Sequence, residues 1–167
     1  MPIISVGQII KEGSRQIHLD FHTSGLIENI GENFSKEQFK KALKIGNVNS
    51  INIFGKGHHG YSYYNTKIGT RHPHLKFDLL KEQIEACHEM GVTAQVYFTV
   101  GWSQKDADDH PEWILKDKNG TTNKLEILKK LGPNDRLPNF TWRLLAPSNG
   151  YDEFILKQVE EICVNYD

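Results

Sequence analysis

Segments with the pattern of β-strands alternate with segments with the pattern of α-helices along this sequence. The strand-like segments cover about 15–22, 48–54 and 92–100, and the helix-like segments cover about 35–46, 78–90 and 151–165. Ser35 is a good N-cap, and Gly46 and Gly91 are suited to end the first two helices. Strands separated by helices usually pair in parallel, so the alternation predicts βαβ units around a parallel sheet.

The number of these units limits the choice of α/β fold. Three βα units in 167 residues are too few for a closed (β/α)8 TIM barrel, which typically needs about 250 residues. The chain is therefore either a small open sheet or the N-terminal part of such a barrel, truncated before strand four. Long loops after strands two and three favour the barrel, although open sheets also bind ligands at this edge. We expect an N-terminal extension over residues 1–14 and a partial barrel over 15–167.

Composition excludes several classes of protein. The chain has 20 basic and 21 acidic side chains, so its net charge gives no reason to bind nucleic acid or an anionic membrane. It contains no run of 18 apolar residues, and its start lacks the basic stretch of a signal peptide. Its two cysteines stand in helix-like segments without a motif. We therefore expect a cytoplasmic protein without a disulfide framework.

The densest group of chemically versatile residues follows strand two, between Phe54 and Tyr64. His58 and His59 stand between glycines, which let a backbone approach a ligand closely, and Tyr61 and Tyr64 follow. Imidazole and phenol groups combine hydrogen-bonding atoms with flat apolar faces, a combination that suits a sugar ring. The loop is predicted to bind carbohydrate, and the alternative is a polar loop with incidental histidines.

Further candidate residues lie near the ends of strands one and three. His18, Asp20 and His22 alternate on strand one, so His22 and Asp20 could reach a substrate or belong to a satisfied polar ladder. Trp102 directly follows strand three and is either a stacking platform for a pyranose or a packing residue. His110 precedes Pro111 and could be a sugar contact or part of a rigid turn.

Motifs for dinucleotides, nucleoside triphosphates, serine hydrolysis, zinc proteolysis and thiol redox chemistry are absent, so no cofactor is predicted. The run Asp20-x-His22-Thr23 resembles the strand-one metal motif of amidohydrolase-type barrels, but an aspartate replaces its first histidine. On an extended strand His18 and His22 would lie about 13 Å apart, too far to share an ion. No metal is predicted, and a metal-dependent hydrolase is kept as an alternative.

One motif resembles that of a known enzyme family. Lys56-Gly57-His58-His59-Gly60-Tyr61 is similar to the Lys-His-His-Asp-Gly-Phe signature of family 29 glycoside hydrolases, the α-L-fucosidases. It differs by a glycine before the histidines and by the loss of the aspartate after them. A fuller pattern resembles a hypothetical glycosyl hydrolase family of fucosidase-like barrels. The matching stretches are Ile17–Phe21, His58–Tyr64, Gly69, His72–Leu75, Asp78–Leu80, Tyr97–Trp102 and His110–Trp113.

The resemblance implies that His58 and His59 bind sugar hydroxyls, and it places His22 and Trp102 in the site by approximate position. In that family the nucleophile is an aspartate at the end of strand four, which here would follow Asp167. Retaining glycosidases need two carboxyl groups about 5–5.5 Å apart. The carboxylates available in this chain are Asp20, Asp106, Asp108, Asp109 and Glu112. None of them has a clear second carboxylate with which to form such a pair.

The sequence therefore predicts a glycoside-hydrolase-like, α-L-fucosidase-like fragment that binds a sugar at the C-terminal ends of its strands. Its catalytic residues stay unassigned, and the isolated chain is expected to be inactive. A non-catalytic carbohydrate-binding module is the second alternative, beside the metal-dependent hydrolase. The expected partners are a carbohydrate and either the remainder of the barrel or a second copy of the chain.

Overall fold

The computed structural model describes residues 15–116, 118–120, 143–148 and 150–166, and the predicted extension over 1–14 lies outside them. The strands are β1 Gln16–His18, β2 Ser50–Lys56, β3 Tyr61–Ser62, β4 Thr70–Arg71 and β5 Thr93–Phe98. The helices are α1 Lys36–Ile45, α2 Leu79–Met90, α3 Gln104–Asp109 and α4 Tyr151–Asn165, with a 3₁₀-helix at Pro111–Trp113.

A parallel sheet of three strands positions the loops that matter for function. β2 lies in the middle and pairs in parallel with β1 on one side and with β5 on the other. The short β3 adds antiparallel pairing at the end of β2, and β4 pairs with β3. The parallel sheet predicted from the alternating pattern is confirmed. Whether the chain forms part of a closed barrel stays a proposal.

The three long helices begin and end close to where the sequence predicts. The Ser35 hydroxyl accepts a hydrogen bond from the backbone N–H of Gln38, and Asp78 caps α2 in the same way. Gly91 ends α2 with a positive φ of 64°, a conformation that glycine adopts without strain. None of the helices in the described part of the chain is long and apolar enough to cross a membrane.

The main core lies between the sheet and its helices. Ile51 and Ile53 of β2 are buried there together with Leu80 and Ile84 of α2. Because side chains alternate along a strand, Asn52 and Phe54 point to the opposite face of the sheet. The amide of Asn52 contacts the imidazole of His18 there, so the face without the main core is polar and aromatic.

Strand one is shorter than predicted. The regular strand ends at His18, and the next residue, Leu19, is 56% exposed. The main chain then leaves the sheet, and the buried Tyr63 hydroxyl holds it by donating to the Phe21 carbonyl and accepting from the Thr23 N–H. The segments predicted as loops after strands two and three also contain short elements, namely β3, β4, α3 and the 3₁₀-helix.

Candidate functional site

Two stacked aromatic rings lie where β2 and β5 run side by side. Phe54 and Tyr97 are register partners, and their ring centroids are 4.3 Å apart with an interplanar angle of 24°. His22, from the segment after β1, packs edge-on against both rings at 5.0 and 5.5 Å. The ends of the three parallel strands therefore meet around one aromatic surface.

The imidazoles of His22 and His58 stack on each other beside this surface. Their centroids are 3.8 Å apart with an interplanar angle of 25°. The backbone N–H of His58 donates to Nδ1 of His22 at 2.9 Å, so a neutral His22 carries its proton on Nε2. That Nε2 atom lies 3.5 Å from a carboxylate oxygen of Asp20. Asp20 thus orients the exposed edge of His22.

His58 links this stack to the two aromatic residues of β5 and its following loop. Its Nε2 atom lies 2.8 Å from the Tyr97 hydroxyl, and its ring centroid is 6.4 Å from that of Trp102. The Trp102 carbonyl accepts a hydrogen bond from the Thr99 hydroxyl, which fixes the turn after β5. We call Asp20, His22, His58, Tyr97 and Trp102 the histidine cluster.

Burial keeps the histidines of this region neutral. The pKa values of His22 and His58 are lowered mainly by desolvation, and the carboxylate of Asp20 only partly offsets the effect. Desolvation also lowers the pKa of His59, with His58 and His72 adding to the shift. A neutral imidazole offers one hydrogen-bond donor and one acceptor, which is what a sugar hydroxyl can use.

Gly57 allows the close approach on which the stack depends. A Cβ atom at Gly57 would lie 2.9 Å from the Tyr63 hydroxyl and 3.1 Å from Nδ1 of His22. Any side chain at this position would push the His58 backbone away from His22. The glycine that separates this motif from the fucosidase signature therefore has a packing role here.

The short helix α3 holds the backbone of the two histidines in place. Its first backbone N–H groups, those of Gln104 and Lys105, donate to the carbonyls of His58 and His59, both at 3.1 Å. Between the histidines and α3, Gly60 has a φ of 87°, and a Cβ there would clash with the Ser103 hydroxyl. The position of α3 and the position of the histidine dipeptide are therefore coupled.

A buried ion pair fixes α3 on the sheet. The ammonium group of Lys56 lies 2.6 Å from a carboxylate oxygen of Asp106, and both side chains are almost completely buried. The hydroxyl of Ser103 donates to the same oxygen at 2.7 Å, and the Lys56 ammonium also donates to Gln158 of α4. Burial lowers the pKa of Lys56, while the Asp106 carboxylate acts in the opposite direction.

The structure does not bring every predicted residue to the cluster. His59 and Tyr61 line an adjacent groove. Tyr64 is completely buried and packs in the main core, with its ring 5.6 Å from that of Tyr166. His110 stacks on Trp113 at 3.7 Å and contacts Glu112 at 2.9 Å. Tyr64, which the sequence predicts to touch a ligand, is instead buried away from the cluster.

Three residues have roles at the site that the sequence did not predict. Tyr97 lies in a strand whose apolar character suggests burial on both faces, although its place two residues after Gln95 puts both on the polar face of the sheet. Lys56 and Asp106 have the charges of surface residues, and the 50 residues that separate them leave no local signal of their pairing.

The described residues contain no group of three or more histidine, cysteine, aspartate or glutamate side chains arranged to hold a metal ion. Of the candidate carboxylates, Asp20 belongs to the cluster, while Asp106 pairs with Lys56. The exposed Asp108 accepts from Gln104, and Asp109 pairs with Lys105.

A family model described as hypothetical glycosyl hydrolase 6 matches residues 35–167. None of the curated proteins matches the chain. Among solved structures, alpha-L-fucosidase isoenzyme 2 from Paenibacillus thiaminolyticus is 40% identical, with a TM-score of 0.80 over 92% of this chain and 22% of that protein. The alpha-L-fucosynthase from Thermotoga maritima, in complex with alpha-L-Fuc-(1-2)-beta-L-Fuc-N3, is 20% identical, with a TM-score of 0.53 over 81% of this chain and 26% of that chain.

A hypothetical protein from Ruminiclostridium thermocellum is 16% identical and has a TM-score of 0.51, covering 85% of this chain and 71% of that one. At this identity, as with the fucosynthase, the likeness shows a shared fold. The present chain spans only about a quarter of the length of the two enzymes named above.

Proposed function

Because the chain belongs to the hypothetical glycosyl hydrolase 6 family, we propose that it is the sugar-binding part of a glycoside hydrolase catalytic domain, with the histidine cluster as its sugar site. The observation that supports this best is the stack of two neutral imidazoles beside Tyr97 and Trp102 at the strand ends. Similarity to an alpha-L-fucosidase at 40% identity supports a sugar of the L-fucose type.

Each member of the cluster has a defined part in this proposal. Nε2 of His22, oriented by Asp20, donates a hydrogen bond to a ring hydroxyl. Nε2 of His58 and the hydroxyl of Tyr97 lie 2.8 Å apart, and both hydrogen-bond to a second hydroxyl of the sugar. The indole of Trp102 packs against the C–H face of the sugar, as aromatic rings do at sites where one side is apolar and the other is polar.

We also propose that hydrolysis needs residues beyond these 167. A retaining glycosidase requires a pair of carboxyl groups, and among the described residues Asp20 is the one predicted carboxylate that the cluster contains. We further propose that the three parallel strands are part of a (β/α)8 barrel. This proposal is supported by the polar face that the sheet turns away from its main core and by coverage of 22% of the related fucosidase.

Titration of the ¹⁵N-labelled chain with L-fucose tests the sugar site. We expect backbone amide shifts centred on His58 and Tyr97, with binding at least about tenfold weaker in His58→Ala, because that variant loses both the stacked ring and the contact with Tyr97. His88→Ala is the matched control, since His88 is exposed on α2, and it should bind like the unaltered chain. Binding that is absent, or that is unchanged by His58→Ala, would contradict the proposal.

A further inference from the structure

A groove of about 180 Å³ lies beside the histidine cluster, and its lining includes His59 but neither His22 nor His58. One wall is the loop after β1, and the other is the exposed face of α3. The residues that the argument uses are Ser24, Leu26, His59, Tyr61, Lys105 and Asp108. The groove is smaller than the roughly 300–1,000 Å³ of sites for drug-sized ligands, so it suits a single ring.

Both walls of the groove are fixed by contacts to the rest of the fold. Gly25 packs directly on the Tyr61 ring, where a Cβ atom would lie 2.7 Å from the phenol oxygen. The carbonyl of Ser24 lies 2.9 Å from Nε2 of the buried His72. On the opposite wall, the backbone N–H of Lys105 donates to the His59 carbonyl. The groove is therefore a built feature of the structure.

The chemistry of the lining suits a neutral, polyhydroxylated ligand. Lys105 and Asp108 give the lining one positive and one negative charge, so its formal charge is zero and does not select an ion. Leu26 is 89% exposed at the rim, an unusual place for a leucine beside polar groups. Together with the Tyr61 ring it offers an apolar surface of the kind that packs against sugar C–H groups.

We propose that this groove is a second subsite, which holds the sugar residue linked to the one bound at the histidine cluster. The proposal rests on the proposed function of that cluster. The adjacent residues His58 and His59 then serve different rings of one ligand, His58 in the cluster and His59 in the groove. The substrate is accordingly an oligosaccharide, since a simple glycoside would leave the groove unused.

Comparing L-fucose with the disaccharide α-L-Fuc-(1-2)-β-L-Fuc tests the second subsite, by isothermal titration and by amide shifts of the full chain. We expect the disaccharide to bind about tenfold more tightly and to add shifts at Leu26 and Lys105 that L-fucose does not cause. The double variant Leu26→Ser/Asp108→Ala should reduce the advantage of the disaccharide to less than about threefold. The matched control Leu156→Ser/Asp152→Ala replaces an exposed leucine and an exposed aspartate on α4 and should retain the full advantage.

Each outcome bears on one of the two proposals. Equal affinity for the two sugars, or extra shifts away from the groove, would overturn the second subsite and leave the histidine cluster standing. The subsite also fails if the groove variant keeps the full advantage of the disaccharide. Binding of neither sugar would overturn the function proposed for the cluster and, with it, the subsite.

Discussion

At the scale of single residues, the histidines of the cluster combine close stacking with depressed pKa values. His22 and His58 lie face to face at 3.8 Å, a distance at which two charged imidazolium rings would repel each other. Desolvation lowers the pKa of each ring, His59 and His18 lower that of His22 further, and His22 lowers that of His58. The two imidazoles are therefore neutral at neutral pH, and protonation of either ring should weaken the stack between them.

Stability should fall as the solution becomes more acidic. A histidine whose pKa is lower in the folded than in the unfolded protein binds more protons when unfolded, so its contribution is complete above about pH 6.5 and declines below it. Urea unfolding at pH 7.5, 6.5 and 5.5 should give decreasing free energies, with a shallower decrease in His58→Asn and an unchanged one in His88→Ala. Equal stabilities at the three pH values would contradict the prediction.

Glu89 and Glu112 do not contribute to the pH dependence in this range. Contacts with Lys36 and Lys40 lower the pKa of Glu89 to about 2, and the pKa of Glu112 is lowered as well. Groups of this kind stay ionised throughout the range from pH 5.5 to 7.5. They contribute to acid sensitivity only at lower pH.

At the scale of secondary-structure elements, the ion pair between Lys56 and Asp106 attaches α3 to β2. Removal of one partner leaves an uncompensated buried charge, so Asp106→Ala should lower the free energy of unfolding by about 3–5 kcal/mol. The neighbouring exposed pair of Lys105 and Asp109 provides the control, because Asp109→Ala should cost only about 0.3–0.5 kcal/mol.

A double variant separates the effect of an unpaired buried charge from the effect of packing between the two side chains. Lys56→Met combined with Asp106→Leu replaces the pair by apolar side chains of similar size and should recover most of the stability lost in Asp106→Ala. Urea denaturation of the single and double variants measures the difference. Comparable losses for Asp106→Ala and Asp109→Ala would show that the buried pair does not anchor the helix.

The helices could be predicted well because their ends carry local signals. Ser35, Gly46 and Gly91 cap helices through contacts within a few residues, so their effect is visible in a short stretch of sequence. Strand one was extended too far because its alternating pattern continues through Phe21, while the contact that draws the chain away comes from Tyr63, 42 residues later. The burial of Lys56 also has no local signal, because its partner Asp106 lies 50 residues away in the sequence.

The candidate site was predicted in part. The loop histidines stood out by composition, yet their division between the cluster and the groove depends on α3, which binds the carbonyls of His58 and His59 across more than 40 residues. Tyr64 was chosen for its proximity to the histidines in sequence. The turn from β3 into the following segment instead directs it into the main core.

At the scale of the whole molecule, the chain has the fold of one segment of a larger enzyme. Over 92% of its length the chain aligns with an alpha-L-fucosidase, but it covers only 22% of the length of that protein. Its three parallel strands place the histidine cluster at one end of the sheet. In the proposed function the cluster supplies the groups that recognise a sugar, and Asp20 is the one predicted carboxylate that it contains among the described residues.

The purified chain should not hydrolyse 4-nitrophenyl α-L-fucoside above the rate in buffer, because the second carboxyl group of a retaining pair is missing from the cluster in the described residues. Release of nitrophenol measures this, with a complete α-L-fucosidase as positive control. Turnover by the chain that disappears in Asp20→Asn would contradict the prediction and identify Asp20 as a reacting group.

The hydrogen bonds from α3 to the carbonyls of His58 and His59 have a consequence for the thermodynamics of recognition. A flexible loop loses conformational entropy when a ligand orders it, and that loss weakens binding. Here the dipeptide cannot rearrange without breaking its hydrogen bonds to the first two N–H groups of a helix that Asp106 anchors to the sheet. The ordering therefore takes place when the chain folds, and the surface proposed to bind a sugar is preorganised.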